Sequence, residues 1–376
     1  MKPSNTELEI AAQPRLWLET FSIVEKQRLE ISAFLNNCLT SKDLDIILTG
    51  AGSSAFIGEV LYKYFQRNLH RETRAIATTD LISHPSDHFQ KDTPTLMVSF
   101  ARSGDSPESL AAVNLGEKVC DKIFHLIITC SPEGQLALNA NSENSYVLFM
   151  PAEANDKGLA MTGSFSTMLL AGLLVSDLSN LERNKDYVSK LSAYGDTILG
   201  KYAESLQKMA ALSFHRIVFL GSGSLKGIAR ESQLKVTELS NGQVIGKYDS
   251  FLGLRHGPKA VIDGSTLVVY LFSTDDYVNK YEYDLVRSIN DQKEKMAEIG
   301  VAEVLKSPDE ITLDLTIEVA NSIAIPEEYF AVCAVLPGQL LGLYKSINLG
   351  LSPDSPSVNK SINRVVQGVK IYHKKP

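Results

Sequence analysis

The stretch LGSGSLKGIARESQLKVTELSNGQVIGKYDSFLGLRHGP spans Leu220 to Pro258 and decides how the chain is built. Its pattern predicts the end of a strand, a turn of glycine and serine, a charged helix, an irregular segment and the tetrapeptide Arg255-His256-Gly257-Pro258. Inside the helix, Glu231, Lys235 and Glu238 are spaced i, i+4 and i+7. At 3.6 residues per turn, these three side chains share one face of the helix.

This charged stripe has two interpretations. In the first, it is a solvated helix face whose Glu–Lys pair stabilises the helix by a few tenths of a kcal/mol. In the second, the two carboxylates and the ammonium form a general acid/base site, for which a buried charged face would be needed. The helix alone does not distinguish these two interpretations, so the neighbouring loops must be considered.

The sequence before and after this stretch repeats one plan. Residues 219–230 keep the glycine pair and the apolar positions of residues 48–59, so Gly221-Ser222-Gly223-Ser224 corresponds to Gly50-Ala51-Gly52-Ser53. Strands alternating with helices indicate βαβ units. We therefore predict an α/β fold with two tandem, doubly wound parallel sheets. Its strands are expected near residues 44–49, 75–79, 94–100, 122–129, 146–150, 217–220, 267–272, 301–305 and 311–316, and its later helices near 163–179, 185–212, 279–299 and 327–345.

The same pattern predicts four segments. Residues 1–43 form an N-terminal helical arm, residues 44–195 the first sheet domain and residues 210–350 the second. Residues 351–376, a loop-like tail with two prolines, are expected to close a site.

Bulk composition excludes several classes of function. The 376 residues are 44% hydrophobic and 22% charged, with a net charge of −7 and no basic stripe, which argues against nucleic-acid binding. No apolar run reaches the roughly 18 residues of a membrane span without charge or turn residues, and the N-terminus lacks the apolar core of a signal peptide. Cysteine spacing predicts reduced structural thiols in a cytoplasmic protein, and histidine spacing predicts no metal site.

Two loops of the first half could hold a phosphate. Ser53 and Ser54 follow the first predicted strand, and Arg102, Ser103 and Ser106 follow the third. In a parallel sheet, ligands bind beyond the carboxyl ends of the strands, and each loop also opens a helix, whose N-terminus favours an anion. Hydroxyls and one guanidinium suit a phosphomonoester. Taken one at a time, these are also ordinary turn residues, with Ser106 as an N-cap.

The corresponding loop of the second half differs in charge. Ser273-Thr274-Asp275-Asp276 carries two carboxylates, which would repel a phosphate. A phosphate site is therefore expected in the first half, and acid/base chemistry in the second. The glycines Gly50 and Gly52 alone are only a weak signal for a dinucleotide.

With these residues, the chain resembles the sugar isomerase (SIS) domain family, whose sheets are flavodoxin-like. It is similar to the isomerase half of glucosamine-6-phosphate synthase, which has two SIS domains in tandem. The tail Asn363-Arg364-Val365-Val366-Gln367-Gly368-Val369 is typical of the AgaS group, whose members are galactosamine-6-phosphate deaminases or tagatose-6-phosphate ketose/aldose isomerases. The synthase's amidotransferase domain has no counterpart here, so release of ammonia is the expected direction.

The resemblance also implies roles for individual residues. Ser54 and the loop Arg102–Ser106 match phosphate-binding turns, although Ala101-Arg102 stands where the synthase has Ser-Gln. Glu231, Lys235 and Glu238 match the catalytic helix. His256 matches the histidine of a Lys-His-Gly-Pro motif, with Arg255 in place of lysine, and family dimers place that histidine in the partner subunit's site. Lys360 matches a lysine that approaches the sugar carbonyl.

These roles imply a mechanism. An imidazole, here His256, can open the sugar ring near neutral pH. Glu238 would move a proton between C2 and C1, Glu231 would orient Lys235, and Lys360 would polarise the carbonyl or form a Schiff base. The expected product of galactosamine 6-phosphate is tagatose 6-phosphate plus ammonia, made by a homodimer without a cofactor. Isomerisation without deamination and phosphosugar sensing without catalysis stay open as alternatives.

Overall fold

The computed structural model describes residues 2–292, 294–366 and 368–372. Ten strands lie in this part of the chain: β1 Asp45–Thr49, β2 Thr73–Ala75, β3 Thr95–Ala101, β4 Ile123–Thr129, β5 Ser145–Phe149, β6 Arg216–Gly221, β7 Ile245–Asp249, β8 Thr266–Leu271, β9 Ala297–Ala302 and β10 Leu315–Glu318. They form two five-stranded sheets in which all neighbours are parallel.

The two sheets have the same strand order. It is β2-β1-β3-β4-β5 in the first sheet and, taken from its far edge, β7-β6-β8-β9-β10 in the second. This is the flavodoxin-like order, which places a switch point beside the first strand of each repeat. The prediction of two tandem doubly wound α/β repeats is confirmed.

Fifteen α-helices are found among the described residues: α1 Asn5–Lys26, α2 Arg28–Leu39, α3 Ser53–Leu69, α4 Thr78–Ser83, α5 Pro85–His88, α6 Pro107–Val119, α7 Gln135–Leu138, α8 Gly163–Ser176, α9 Leu181–Thr197, α10 Ala203–Ala210, α11 Leu225–Leu239, α12 Phe251–Leu254, α13 Asp276–Gln292, α14 Glu327–Ala334 and α15 Leu336–Asn348. α1 and α2 are the expected N-terminal helices.

The strands of the first sheet alternate their side chains between two layers of helices. Ile47 and Met97 are register partners and pack in one cluster with Leu81 of α4 and Ala112 of α6. Leu48, the next residue along β1, lies on the other side, where α3 is so near that a Cβ on Gly58 would be 3.1 Å from the Leu48 Cβ. This period of two residues is what a sheet covered on both faces requires.

The described residues group into two compact units. The N-sheet unit contains residues 16–156, 163–184 and those from 362 onward, and the C-sheet unit contains residues up to Arg15, 157–162 and 185–361. The predicted boundaries at 43 and 351 do not coincide with these units. One physical reason is that the start of the predicted arm is bonded to the predicted tail within the C-sheet unit. The Asp354 carboxylate accepts hydrogen bonds from the backbone N–H groups of Asn5 (3.0 Å) and Thr6 (2.8 Å).

Among the described residues, one segment without a sharp bend has the length and apolar composition of a membrane span. Glu327–Asn348 has 22 residues and a mean hydropathy of 1.4, but 89% of that window is buried inside the protein. It comprises α14 and α15, whose burial is that of core helices.

Candidate active site

The charged stripe of α11 is brought close to α15 by two glycines. A Cβ on Gly338 would lie 2.5 Å from Ser232, and a Cβ on Gly342 would lie 3.0 Å from the carbonyl oxygen of Lys235. No larger residue fits at this spacing without displacing the helix, so Gly338 and Gly342 allow α15 to cover the stripe. The sequence alone does not predict a role for either glycine.

Glu231, Lys235 and Glu238 meet in one cluster, as their spacing predicts. The Lys235 ammonium lies 3.2 Å from the Glu231 carboxylate and 2.7 Å from that of Glu238. The side chains of Glu231 and Lys235 are 0% and 1% exposed, whereas that of Glu238 is 25% exposed. The solvated-face interpretation is therefore wrong for Glu231 and Lys235.

Charge balance explains how Lys235 is tolerated in the interior. Burial acts to lower the pKa of Lys235, but the charges of Glu231 and Glu238 outweigh it, and the pKa is raised above its ordinary value. The residue therefore remains an ammonium at neutral pH. With one cation between two anions, the cluster carries a net negative charge at its exposed end, where Glu238 lies.

His256 lies in a loop of the same unit, on the turn that follows α12. Gly257 has φ 108, a conformation that favours glycine, and it turns the chain directly after the histidine. His256 is exposed, and within residues 2–292, 294–366 and 368–372 its ring makes no hydrogen bond. Its ring is therefore not engaged by a side chain or backbone group of the described residues.

Lys360 is exposed in the tail and has an unusual backbone. Its φ is 54, in the left-handed region that costs a non-glycine residue about 1 kcal/mol or more. The turn is held by its own N–H, which donates to the Ser357 carbonyl oxygen at 3.1 Å. Neither Lys360 nor His256 hydrogen-bonds to the stripe among the described residues, so the structure brings together three of the five predicted catalytic residues.

The five predicted phosphate-binding residues all lie in the N-sheet unit. Ser53 and Ser54 begin α3 and are buried directly beyond the end of β1. Gly52, with φ 57, allows the tight turn between β1 and α3. Because β1 and β3 are neighbours, this turn lies at the same edge of the sheet as the loop that contains Arg102.

The second loop has a more specific set of contacts. The Ser103 hydroxyl accepts a hydrogen bond from the Asp105 N–H at 3.2 Å. Ser106 occupies the N-cap position of α6, but its hydroxyl donates to Glu108 at 2.7 Å and caps no helix N–H. Ser106 is therefore the N-cap residue by position, as the alternative predicts, but its side chain makes no capping hydrogen bond.

Arg102 is connected to a residue that the sequence analysis did not single out. Its guanidinium donates to the carbonyl oxygen of Arg364 at 2.5 Å. The Arg364 guanidinium in turn donates to the Asp156 carbonyl oxygen (2.7 Å) and to the Asn155 side chain (2.6 Å). The tail thus joins the loop after β3 to the segment after β5, and two guanidinium groups belong to this edge of the first sheet.

Other chemistries find less support in the described residues. Their acidic, histidine and cysteine side chains form no group of three that could hold a metal ion. All four cysteines, namely Cys38, Cys120, Cys130 and Cys333, are buried free thiols. Burial raises the pKa of Cys38 to about 12 and raises the pKa of the other three, so these thiols are protonated near neutral pH.

The sequence and fold have close counterparts among known proteins. A family model described as SIS domain matches residues 39–176. D-galactosamine-6-phosphate deaminase AgaS of Escherichia coli is 39% identical over 375 residues, covering 98% of this chain and 95% of that protein. The homologous deaminase AgaS of Shewanella sp. (strain ANA-3) is 37% identical over 371 residues, with 98% and 91% coverage.

Solved structures agree with these relatives. Tagatose-6-phosphate ketose/aldose isomerase from Escherichia coli matches with a TM-score of 0.90 and 35% identity, covering 99% of this chain and 97% of that one. The C-terminal domain of glucosamine-fructose-6-phosphate aminotransferase from Francisella tularensis has a TM-score of 0.78 and 17% identity, over 94% and 99% of the two chains, which shows a shared fold. The chain belongs to the AgaS family of SIS-domain proteins.

Proposed function

We propose that this protein converts D-galactosamine 6-phosphate and water to tagatose 6-phosphate and ammonia. The main observation that supports this proposal is the buried cluster in which Lys235 forms ion pairs with Glu231 and Glu238. The Glu238 carboxylate lies at the exposed end of this cluster. A proton-transfer residue needs a fixed position and access to substrate, and in this cluster only Glu238 combines both. The names of the AgaS relatives support the amino sugar as substrate.

The proposed chemistry is a proton shift followed by hydrolysis. In the open-chain aldehyde, Glu238 takes the proton from C2 and leaves an enolamine. Return of a proton to C1 gives C1 as an alcohol and C2 as an imine. Water adds to C2 and the nitrogen leaves as ammonia, so one ketose and one ammonia are formed for each water consumed. A positioned acid/base group of this kind contributes about 10² to 10⁴-fold to rate.

The other predicted residues take supporting roles in this proposal. His256 moves the proton that opens the ring, and its exposure suits a site formed with a partner subunit in a cytoplasmic homodimer. Lys360 acts on the carbonyl, for which its strained backbone is indirect support. Glu231 positions Lys235.

Phosphate binding is assigned to the first half, within residues 44–195. Ser53, Ser54, Arg102, Ser103 and Ser106 would hold the 6-phosphate by hydroxyls, helix N-terminal amides and one guanidinium. The proton transfer belongs to residues 210–350, and the tail 351–376 would close the site. The bond from Arg102 to the Arg364 carbonyl oxygen supports this last role, because it ties the tail to the phosphate loop.

A second candidate is isomerisation of a hexose 6-phosphate without loss of nitrogen. It is favoured by the solved relative that is named a tagatose-6-phosphate ketose/aldose isomerase. The same proton shift on a C2 hydroxyl, in place of an amine, would give a ketose directly. The two candidates therefore differ in the substrate and not in the residues that act.

One experiment separates the candidates. Purified protein is incubated with galactosamine 6-phosphate, glucosamine 6-phosphate, galactose 6-phosphate and glucose 6-phosphate, and ammonia and ketose are measured separately. The proposal predicts equal amounts of ammonia and ketose from galactosamine 6-phosphate. Ketose from the neutral sugar without ammonia from the amino sugar would favour the second candidate, and binding without any product would favour a sensor.

A further inference from the structure

The second repeat contains the same pair of loops that is proposed to hold phosphate in the first. Gly221-Ser222-Gly223-Ser224 joins β6 to α11, and Ser273-Thr274-Asp275 joins β8 to α13. β6 and β8 are adjacent, as β1 and β3 are in the first sheet. Gly223 has φ 54, nearly the φ 57 of its counterpart Gly52. The two loop pairs therefore have matching connections, and the first loop of each pair turns at a glycine of the same conformation.

In the second repeat, a carboxylate of the same chain lies between these loops. One Glu327 oxygen accepts from the Ser224 hydroxyl at 2.8 Å. The other accepts from the Ser273 hydroxyl and from the Thr274 N–H at 3.3 Å. A Cβ on Gly223 would lie 3.3 Å from the Glu327 carboxylate, so the glycine also provides room for it. Donors from both loops thus converge on a single anionic group.

The nature of these donors matches a tetrahedral oxyanion as well as a carboxylate. The two carboxylates that the sequence predicts to repel a phosphate here have other partners: Asp275 accepts from the Tyr277 N–H at 2.7 Å, and Asp276 pairs with the Lys306 ammonium. Two hydroxyls and a backbone N–H lie beside the N-termini of two helices of 15 and 17 residues. Glu327 begins α14, which anchors its side chain, and an external anion must compete with a carboxylate whose effective concentration is millimolar or higher. The site is therefore filled as long as Glu327 stays in place.

We propose that the second repeat holds an oxyanion site of the phosphate-binding type that Glu327 occupies as an internal ligand. The native chain therefore has no external anion at these loops, and removal of the Glu327 carboxylate opens the site to sulfate or to a phosphomonoester. This inference is independent of which sugar phosphate the first repeat takes.

The test uses Glu327→Ala in the full-length protein, with sodium sulfate as the probe and sodium chloride of equal ionic strength as the reference. In chloride, the variant loses thermal stability because Ser224, Ser273 and Thr274 lose their acceptor. At about 100 mM, sulfate should restore roughly half or more of the lost Tm beyond any sulfate effect on the wild-type protein. The difference in wild-type Tm between sulfate and chloride measures the effect of sulfate bound at the first repeat.

Two variants control for general effects of sulfate. Glu327→Gln keeps the volume of the side chain, so sulfate should not restore its Tm beyond the wild-type shift. Adding Ser224→Ala to Glu327→Ala removes one of the converging donors and should abolish most of the restoration. Equal restoration in Glu327→Ala and Glu327→Gln, or restoration unchanged by Ser224→Ala, would overturn the proposal.

If Glu327→Ala is insoluble in chloride, its refolding yield is measured in sulfate and in chloride. The proposal predicts a higher yield in sulfate for Glu327→Ala than for Glu327→Gln. Equal sulfate effects on the two yields would overturn it.

Discussion

The ammonium group of Lys235 allows the carboxylates of Glu231 and Glu238 to lie against a packed helix. Its side chain is 1% exposed, and its pKa is raised because Glu231 and Glu238 outweigh the effect of burial. A charge buried with partners costs little only while the partners remain; removing one of them leaves an uncompensated charge. The stability of the stripe therefore depends on Lys235 more than on either glutamate.

Lys235→Met should lower the free energy of unfolding by about 3–5 kcal/mol, because a buried carboxylate is left unpaired. Lys208→Met is the matched control: its side chain is 73% exposed and forms an i,i+4 pair with Glu204, so it should cost less than about 1 kcal/mol. Urea unfolding at pH 7 measures both. An equal loss of unfolding free energy in the two variants would show that burial of the stripe does not affect stability.

A second buried carboxyl group makes stability depend on pH. Glu282 is fully buried, and burial raises its pKa from 4.5 to about 7, against hydrogen bonds from Ser273 and Asn279. Because the pKa in the folded state is the higher one, the folded protein holds a proton that the unfolded chain releases. The contribution of Glu282 to the free energy of unfolding is fully present below pH 4.5 and is lost as pH rises towards 7.

The wild-type protein should therefore lose about 3 kcal/mol of unfolding free energy between pH 4.5 and 7 relative to Glu282→Gln, whose side chain does not titrate. Chemical denaturation of both proteins across this range measures the difference. Parallel stability curves would contradict the assignment. The neighbouring Glu327 carboxyl, whose pKa burial also raises, is common to both proteins.

At the scale of elements, the approach of α15 to α11 positions the stripe. A Cβ at Gly338 would lie 2.5 Å from both the Cβ and the hydroxyl oxygen of Ser232, a separation that real Cβ atoms do not show. Since Ser232 is fully buried, it has no free space into which to move. The contact between the two helices thus fixes where Glu231, Lys235 and Glu238 lie.

Gly338→Ala should destabilise the protein by about 1–3 kcal/mol and lower activity, because α11 is displaced. Gly200→Ala is the control, since a Cβ there meets nothing within 4 Å, and it should be neutral or stabilise by up to about 1 kcal/mol. Thermal unfolding and turnover are measured for both. A Gly338→Ala protein as stable as Gly200→Ala would contradict the packing argument.

Strongly patterned elements were predictable from sequence, and polar edge strands were not. β1, β3 and β4 are mostly apolar runs, and turns that contain glycine or serine follow them. β7, Ile245–Asp249, was missed because its sequence IGKYD has a glycine, two charges and little burial. β9 begins four residues before the strand predicted at 301–305. Residues 297–299 were predicted as the end of a helix because Glu298 interrupts the apolar run, yet this carboxylate is buried and accepts from the Tyr270 hydroxyl at 2.6 Å.

The candidate site was predictable where its signal is local. The stripe follows from helical spacing, and the phosphate loops follow from turns after strands. The contact of Arg102 with Arg364 joins residues 262 positions apart, and the place of Glu327 depends on two loops that lie more than 50 positions before it. No short window of sequence contains either contact, so only the fold reveals them.

At the scale of the whole molecule, the proposed dimer leads to a test by complementation. Glu238→Gln and His256→Ala are each expected to be inactive alone. If each site takes Glu238 from one subunit and His256 from the other, a mixed dimer regains one complete site. Random mixing should then restore about a quarter of the wild-type activity.

The two variants are coexpressed with different tags, and the mixed species is isolated by sequential affinity steps. Restored activity in that species supports a shared site. An inactive mixed dimer would place His256 in the site of its own subunit, and activity of His256→Ala alone would place His256 outside the chemistry.

Proton transfer by Glu238 is tested most directly by the turnover of galactosamine 6-phosphate by Glu238→Gln. We expect kcat for ammonia release to fall by about 10² to 10⁴-fold, while KM changes little, because the phosphate loops are untouched. Glu204→Gln, at a glutamate whose side chain is 78% exposed, should keep wild-type turnover. Wild-type turnover by Glu238→Gln would contradict the account, because the proton transfer would then belong to another group.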